Sequence, residues 1–291
     1  MRLIVIVVTA DRRATLGQAL AQLGTQTRLP DLLVVSAPDE RHVDRSVAVP
    51  FPLVFLFGAR GCTAQRNRAL DDEALRDADI VVFLDDDFLA APDYLARVES
   101  AFAGYPDWAV LTGRVVADGI KGPGLSFERG TELLAAADDD DPGRYDDMAP
   151  AGAYGCNMAF RATDIRQHRF DERLPLYGWQ EDTDFSRLVA RGRPIVRLHG
   201  LRGVHLGVKR GRVSGVRFGY SQIANPVYLT RKGTGTRRWA ARLMGSNVLA
   251  NVTLSFRAEH EVDRLGRLRG NLIAVGHWIR GRLDPEYIMR L

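Results

Sequence analysis

Three consecutive carboxylates, Asp85, Asp86 and Asp87, close the apolar run Ile80-Val81-Val82-Phe83-Leu84. A buried strand that ends in acid places carboxylates at the mouth of an α/β sheet, where ligands bind. Three adjacent acids repel one another unless a cation or strong donors compensate. Alternate side chains of an extended D-x-D run point the same way, so one Asp can reach a metal while a neighbour meets a ribose or a bridging water. The competing explanation is a helix N-terminus ahead of Pro92, which favours acids, but three in a row exceed what a cap needs.

A second acidic cluster, Glu181, Asp182 and Asp184, follows Tyr177-Gly178-Trp179 at a helix start. A carboxylate there can serve as a general base, its pKa raised by an aromatic or a like charge; capping by Asp182 or Asp184 is the alternative. Trp179 adds an aromatic surface of the kind sugars stack on. His205, between Val204 and Leu206, reads either as a structural residue or as a ligand. Lys209, Arg210 and Arg212, interleaved with Gly207, Gly211 and Gly215, form a pliable basic segment suited to closing over a diphosphate, or else a solvated one. Gly61 permits close backbone approach, and Arg66 and Asn67 follow it on a helix. The run of four acids from Asp138 to Asp141 has no apolar strand to fix it and reads as a solvated loop.

The elements that must position these groups alternate. Strands are expected at 3–8, 32–36, 53–57 and 80–84, and helices at 14–23, 63–76 and, after Pro92, 94–102. Continuous apolar strands alternating with helices indicate a parallel sheet covered on both faces. Further strands are expected at 108–116, 153–160 and 195–198, with a loop at 119–147, a helix from Asp184 to Arg191 and a mobile Gly/Arg segment at 207–219. Residues 215–283 read as mostly helical.

The chain's 291 residues, 46% hydrophobic and 26% charged, suit a folded protein with ample core. Cys62 and Cys156 make neither a disulfide framework nor a zinc site, pointing to a reducing compartment. No stretch of eighteen apolar residues suggests a transmembrane span, and the short apolar start reads as a first strand rather than a signal peptide. The net charge of +4 conceals a split: residues 1–185 hold 19 Lys/Arg against 31 Asp/Glu, and residues 186–291 hold 21 against 5. The basic part suits phosphates or an anionic membrane surface; mutual neutralisation of the two parts is the plainer reading.

In order, these pieces resemble the inverting glycosyltransferases of family 2. The landmarks are Val5 to Arg12 at the first strand, Gly61 with Arg66-Asn67, the D-x-D run at Asp85 to Asp87, Gly155 to Arg161, Phe170-Asp171-Glu172, Gly178 to Asp184, and His205. The resemblance covers residues 1 to about 206. It implies the GT-A fold, a Rossmann-like mixed α/β sheet flanked by helices, with a mainly helical C-terminal extension. The catalytic domain would span 1–214, with a nucleotide-binding half at about 1–105 and an acceptor half at about 106–214, and a basic helical region at 215–291. It also implies sugar transfer from a nucleoside-diphosphate donor, UDP or GDP favoured, to a hydroxyl of a carbohydrate or lipid-linked sugar in bacterial polysaccharide or glycolipid synthesis. By position, Asp87, Asp85 and His205 would hold Mn²⁺ or Mg²⁺, and Asp86 would lie near the donor ribose or sugar. Thr9, Arg12 and Arg66 would contact nucleoside and phosphate, with Lys209 and Arg212 closing on the donor. Asp182 would be the base, and Glu181, with Trp179, would bind the acceptor. Where the family often places an acid at the end of the second strand for the nucleotide base, this chain reads Ser36-Ala37-Pro38-Asp39, so Asp39 would substitute from a shifted position.

In the tail, Arg237, Arg238 and Arg242 accompany Trp239 and Leu243, and Trp278-Ile279 lies beside Arg280 and Arg282. Basic helices bearing aromatics suit attachment to anionic lipid; packing on the catalytic domain or a homodimer contact are the alternatives. A cytoplasmic enzyme, peripheral at the inner face of the plasma membrane, is the corresponding expectation. A nucleotidyltransferase would carry a Gly-rich basic signature after the first strand, which Thr9 to Arg13 lacks. A polyanion or nucleic-acid binder has no motif to accompany its charge, and no nucleic-acid partner is expected.

Overall fold

A computed structural model describes residues 1–149, 151–209, 214–255 and 262–291. They fall into two compact units: residues 1–60, 64–170 and 185–211 form the first, and residues 61–63, 171–184 and 212–291 the second.

The first unit is built on a mixed sheet. Its elements are β1 (Leu3–Val8), α1 (Arg13–Leu23), β2 (Leu32–Ala37), β3 (Leu53–Phe57), α2 (Cys62–Leu70), β4 (Ile80–Asp85), β5 (Phe88–Ala90), α3 (Tyr94–Gly104), β6 (Val110–Asp118), α4 (Phe127–Ala135), β7 (Tyr145–Asp147), β8 (Asn157–Arg161), α5 (Ala162–Ile165), α6 (Glu181–Ala190) and β9 (Ile195–His205). The strands run β3-β2-β1-β4-β8-β6-β9-β5, with β7 pairing β9. The first four are parallel; β8 lies antiparallel between β4 and β6. β1 and β4 are rich in β-branched residues, and apolar up to Asp85 at the end of β4, because both their faces are covered. Leu3, Val5 and Val7 pack on one side with Leu16 and Leu20 of α1 and Val98 and Phe102 of α3. Ile4 and Ile6 face the other, with Ile165 of α5 and Phe185 and Val189 of α6.

In the second unit, α7 (Gly215–Lys232), α8 (Arg237–Leu254) and α9 (Arg264–Ile279) follow one another, and a 3₁₀ segment, Pro285–Arg290, ends the chain. Tyr220, Ile223, Ala224, Ala274 and Ile288 form their core. A Cβ on Gly219 would stand 2.0 Å from the Arg267 carbonyl oxygen, so α7 and α9 meet backbone to backbone there.

Several boundaries differ from expectation. The helix expected at 63–76 ends at Leu70, because Asp72 accepts the Ala74 N–H at 2.9 Å and starts a separate 3₁₀ turn. The stretch 119–147 is no plain loop. Ser126 caps α4 by accepting the Arg129 N–H, and 145–147 adds a strand. The glycine that weakens α4 as a sequence signal, Gly130, is needed because a Cβ there would sit 2.5 Å from Leu206. β9 continues past 198 to His205, and β5 was not expected. α6 starts at Glu181 rather than after Asp184. Ser214 caps α7, which begins within the expected mobile segment 207–219.

Candidate active site

β4 ends at Asp85, level with Val8 of β1. The chain then turns through Asp86 and Asp87 and re-enters the sheet as β5 against β9. The turn sends the three carboxylates to different partners. Asp86, 3% exposed, accepts Thr9 Oγ1 at 2.6 Å and Arg12 at 2.9 Å. Asp87, 1% exposed, takes the Val208 N–H at 2.8 Å on Oδ2, with Arg12 at 3.3 Å from the same oxygen. Its Oδ1 is buried without a hydrogen-bond partner and lies 3.4 Å from His205 Nε2. Asp85 is the outermost, its side chain 31% exposed, with Arg66 at 3.4 Å. Arg66 is itself buried, donates to the Gly155 carbonyl at 3.0 Å and lies over the rings of Phe83 and Phe170.

His205 reaches this group from the last position of β9. Between β6 and β9 the register shifts twice: residues 199–201 of β9 pass without a partner, and Val116 of β6 does the same. The excursion is fastened by His199 N–H to Arg144 O and Gly200 N–H to Pro142 O. It passes so close that a Cβ on Gly113 would stand 2.2 Å from the Leu201 oxygen. After the shifts Asp118 lies level with His205. Asp118 Oδ1 faces His205 Nδ1 at 2.9 Å and accepts the Ile120 N–H at 3.0 Å, while Oδ2 accepts the Tyr154 hydroxyl at 2.8 Å. This bond holds the proton on Nδ1 and points Nε2 toward Asp87. Sequence reasoning missed Asp118, because ending the strand at Val116 left it in a loop.

The electrostatics follow from crowding. Burial pushes Asp86 up to about 7, even though Arg12 and the Thr9 hydroxyl pull the other way and Asp87 adds repulsion. Burial also raises Asp85, with Arg66 opposing and Asp87 adding to the rise. For Asp87 burial again acts upward, but His205, Arg12 and the Val208 N–H together outweigh it and hold the carboxyl below its ordinary value. Burial lowers His205, yet the hydrogen bond to Asp118, the close approach of Asp87 and the charges of Asp87 and Asp85 carry it to about 10. The cluster therefore retains a proton on His205, keeps Asp87 ionised and holds Asp85 and Asp86 above the usual carboxylate range. A cation would relieve that state.

Asp85, Asp87 and His205 each offer one ligand atom, all within 4.8 Å of one another, and among the described residues they are the group that can hold a metal ion. The orphaned Oδ1 of Asp87 and a mixed set of two carboxylates and one imidazole fit a divalent ion such as Mn²⁺. Lys209 Nζ donates to the carbonyls of Gly119 and Ile120 at 3.0 and 2.9 Å, which ties the segment after β9 to the end of β6. Arg212 and Arg210 lie outside the described residues. Asp39 belongs to a separate cluster: it caps the turn Glu40–His42 by accepting the Arg41 N–H at 2.9 Å and pairs with the Arg41 guanidinium. Beside it the Asp11 N–H donates to His42 Nδ1 at 2.8 Å, and Arg60 pairs with Asp11.

In the second unit the approach to α6 is tightly wound, with Leu176, Gly178 and Gln180 all at positive φ. A Cβ on Gly178 would meet Glu181 Cγ at 2.8 Å, so glycine is required there on two counts. Glu181 and Asp182 open α6, where negative charge suits the helix N-terminus. Asp182 is half-buried, and its Oδ1 accepts the Thr183 N–H at 2.7 Å. Glu181 is 6% exposed. Trp179 is half-buried, edge-on to Phe218, and its carbonyl accepts from Asn225. Asp184 is structural: Lys232 at 2.6 Å and Thr234 at 2.5 Å occupy its two oxygens.

No protein-family model and no curated protein matches the chain. Solved structures do. The mannosyltransferase PcManGT from Pyrobaculum calidifontis, in complex with GDP-Man and Mn²⁺, superposes with a TM-score of 0.52 at 16% identity, over 99% of this chain and 85% of its own. TarS of S. aureus, as its 1–349 fragment with UDP-GlcNAc, gives 0.51 at 15% identity, over 88% of this chain and 73% of the fragment. Against the longer TarS chain the score is 0.53 at 15% identity, and this chain spans only 45% of that length. The fold is the glycosyltransferase fold of the GT-A type, an α/β mixed sheet flanked by helices with C-terminal helices.

Proposed function

We propose that the chain is an inverting, metal-dependent glycosyltransferase of family 2, moving a sugar from a nucleoside diphosphate to an acceptor hydroxyl in bacterial polysaccharide or glycolipid synthesis. The observation that carries this reading is the buried, unsatisfied Oδ1 of Asp87 beside Asp85 and His205, at the end of the strands of a GT-A sheet. Complexes of the fold's relatives with GDP-Man and Mn²⁺, and with UDP-GlcNAc, support a nucleotide-sugar donor, UDP or GDP.

Asp85, Asp87 and His205 would hold the ion. Bound there, a divalent cation neutralises charge on the departing diphosphate. Arg12 holds Asp86 and Asp87 in place and, with Thr9, gives way to donor oxygens. Arg66 fixes Asp85 from a buried, ring-stacked position. Asp182 takes the proton from the acceptor hydroxyl as the new bond forms, so one base suffices for an in-line displacement with inversion. Glu181 and Trp179 orient the acceptor, and Asp39 and Lys209 serve the donor's base and phosphates.

The test is a thermal-shift panel of UDP, GDP, dTDP and CMP with and without Mn²⁺, repeated with intact sugar nucleotides. Stabilisation by one diphosphate only when metal is present is the expected result. A flat panel for nucleotides and sugar nucleotides alike removes the reading.

A further inference from the structure

α9 presents two unlike faces. On its inner side Gly270, Asn271 and Ala274 are buried; Asn271 donates to the Gly219 carbonyl at 2.6 Å, and a Cβ on Gly270 would collide with the Val216 oxygen. Its outer side carries large apolar residues in the open: Leu265 is 68% exposed, Leu272 66% and Ile279 81%. These recur every seven residues, so on a helix they fall within about 40° of one another and form a stripe about 21 Å long. Arg269 is exposed on the same face, and Arg280 and Arg282 are exposed at its C-terminal end, beside Trp278. Isolated exposed leucines need no explanation, but an aligned apolar stripe rimmed by arginines does.

We infer that this face of α9 is a docking surface for an anionic lipid bilayer, lying in the headgroup layer with the stripe inserted and the arginines on lipid phosphates. The charge decides between the candidate occupants. A second copy meeting the stripe would bring one arginine-rimmed face against another. The seam is also one helix wide, short of what a stable dimer buries. Anionic lipid attracts the same arginines, each contributing about a fivefold gain in partition near the surface. Apolar side chains on one face and arginines at its rim are the composition of interfacial helices. No described helix is long and apolar enough to cross a membrane, so contact through α9 would be peripheral. The surface stands on these exposed residues alone and needs no donor, metal or transfer; an acceptor carried on lipid, as proposed above, would give it a purpose.

The experiment is vesicle flotation of the full chain, without nucleotide or metal, on 30% phosphatidylserine and on neutral phosphatidylcholine. The expected result is binding to the anionic vesicles only, weakened at least tenfold in the Leu272→Glu/Ile279→Glu variant and comparably in Arg269→Glu/Arg280→Glu. All four side chains are exposed, and unchanged circular dichroism and melting confirm folding. Absence of binding by the wild type, or equal binding by both variants, overturns the inference. So does light scattering that shows a wild-type dimer which Leu272→Glu/Ile279→Glu dissociates, because the stripe then belongs to a second copy.

Discussion

Removing the Asp118 carboxylate should weaken the metal site without touching a ligand. Asp118 meets His205 Nδ1 at 2.9 Å, and its own position is fixed by the Ile120 N–H and the Tyr154 hydroxyl. In Asp118→Ala the imidazole loses the contact that selects its tautomer and aims Nε2 at Asp87. Carboxylate partners of this kind are typically worth 10–100-fold in metal affinity, about 1.4–2.7 kcal/mol. One effect runs the other way. His205 lies at about 10 partly because of Asp118, so its removal also eases the loss of the proton that the metal displaces. Binding nevertheless exchanges one proton for a doubly charged ion, a net gain of one positive charge beside Asp118, so the carboxylate favours the loaded form. The assay is electron paramagnetic resonance of free Mn²⁺ at pH 7.5, with calorimetry in buffers of different ionisation enthalpy to count released protons. The wild type should release close to one proton per ion, and Asp118→Ala should bind 10–100-fold more weakly with fewer protons released. Asp118→Asn retains an acceptor facing Nδ1 and should recover much of the affinity. A folded Asp118→Ala variant that binds Mn²⁺ within threefold of wild type would refute the reasoning.

Other consequences are open to direct measurement. Asp182→Asn should abolish transfer while leaving donor affinity within about twofold in calorimetry, since the base acts on the acceptor; a matching loss of donor affinity would remove that role. Asp87→Ala should lose at least tenfold in metal-dependent donor binding, whereas the metal-independent component should persist in the same titration. His205 is raised in the folded state, so its stabilising contribution is full below about pH 6.5, its ordinary value, and is lost as pH rises through about 10. Melting of the metal-free chain should therefore decline across that window, and His205→Gln should lack that component. Gly203→Ala would place a Cβ 2.0 Å from the Phe88 ring; overpacking of this kind costs about 1–3 kcal/mol, and the variant should melt lower and bind Mn²⁺ more weakly, His205 being two residues on.

Much of the site was legible in the sequence for one physical reason: buried parallel strands are continuous in their apolar residues, so the point where such a run turns to acid is visible. That signal located Asp85 to Asp87 and the four parallel strands. It failed where pattern and structure part. α4 was hidden by Gly130, a poor helix former kept for a close approach to Leu206. β5 is three residues long, too short for any period to register. Asp184, an acid of the motif by position, is occupied by Lys232 and Thr234. Nor does any sequence pattern announce that Asp39 accepts the Arg41 N–H and pairs with the Arg41 guanidinium.

The sequence by itself determined which groups lie at strand ends, because burial on both faces leaves its mark residue by residue. It could not determine which side chains meet. Asp118 and His205 are brought level by the unpartnered residues 199–201 and Val116 between β6 and β9. Such slippage depends on the glycine at 113 and on hydrogen bonds to the carbonyls of Arg144 and Pro142, residues remote in sequence. In the same way, only the packing of α9 on α7 shows that Gly270, Asn271 and Ala274 face inward while Leu265 and Leu272 stay on the outside. Hydrophobic pattern is local and survives in one dimension. Register and contact are set by distant backbone, so tertiary structure decided them.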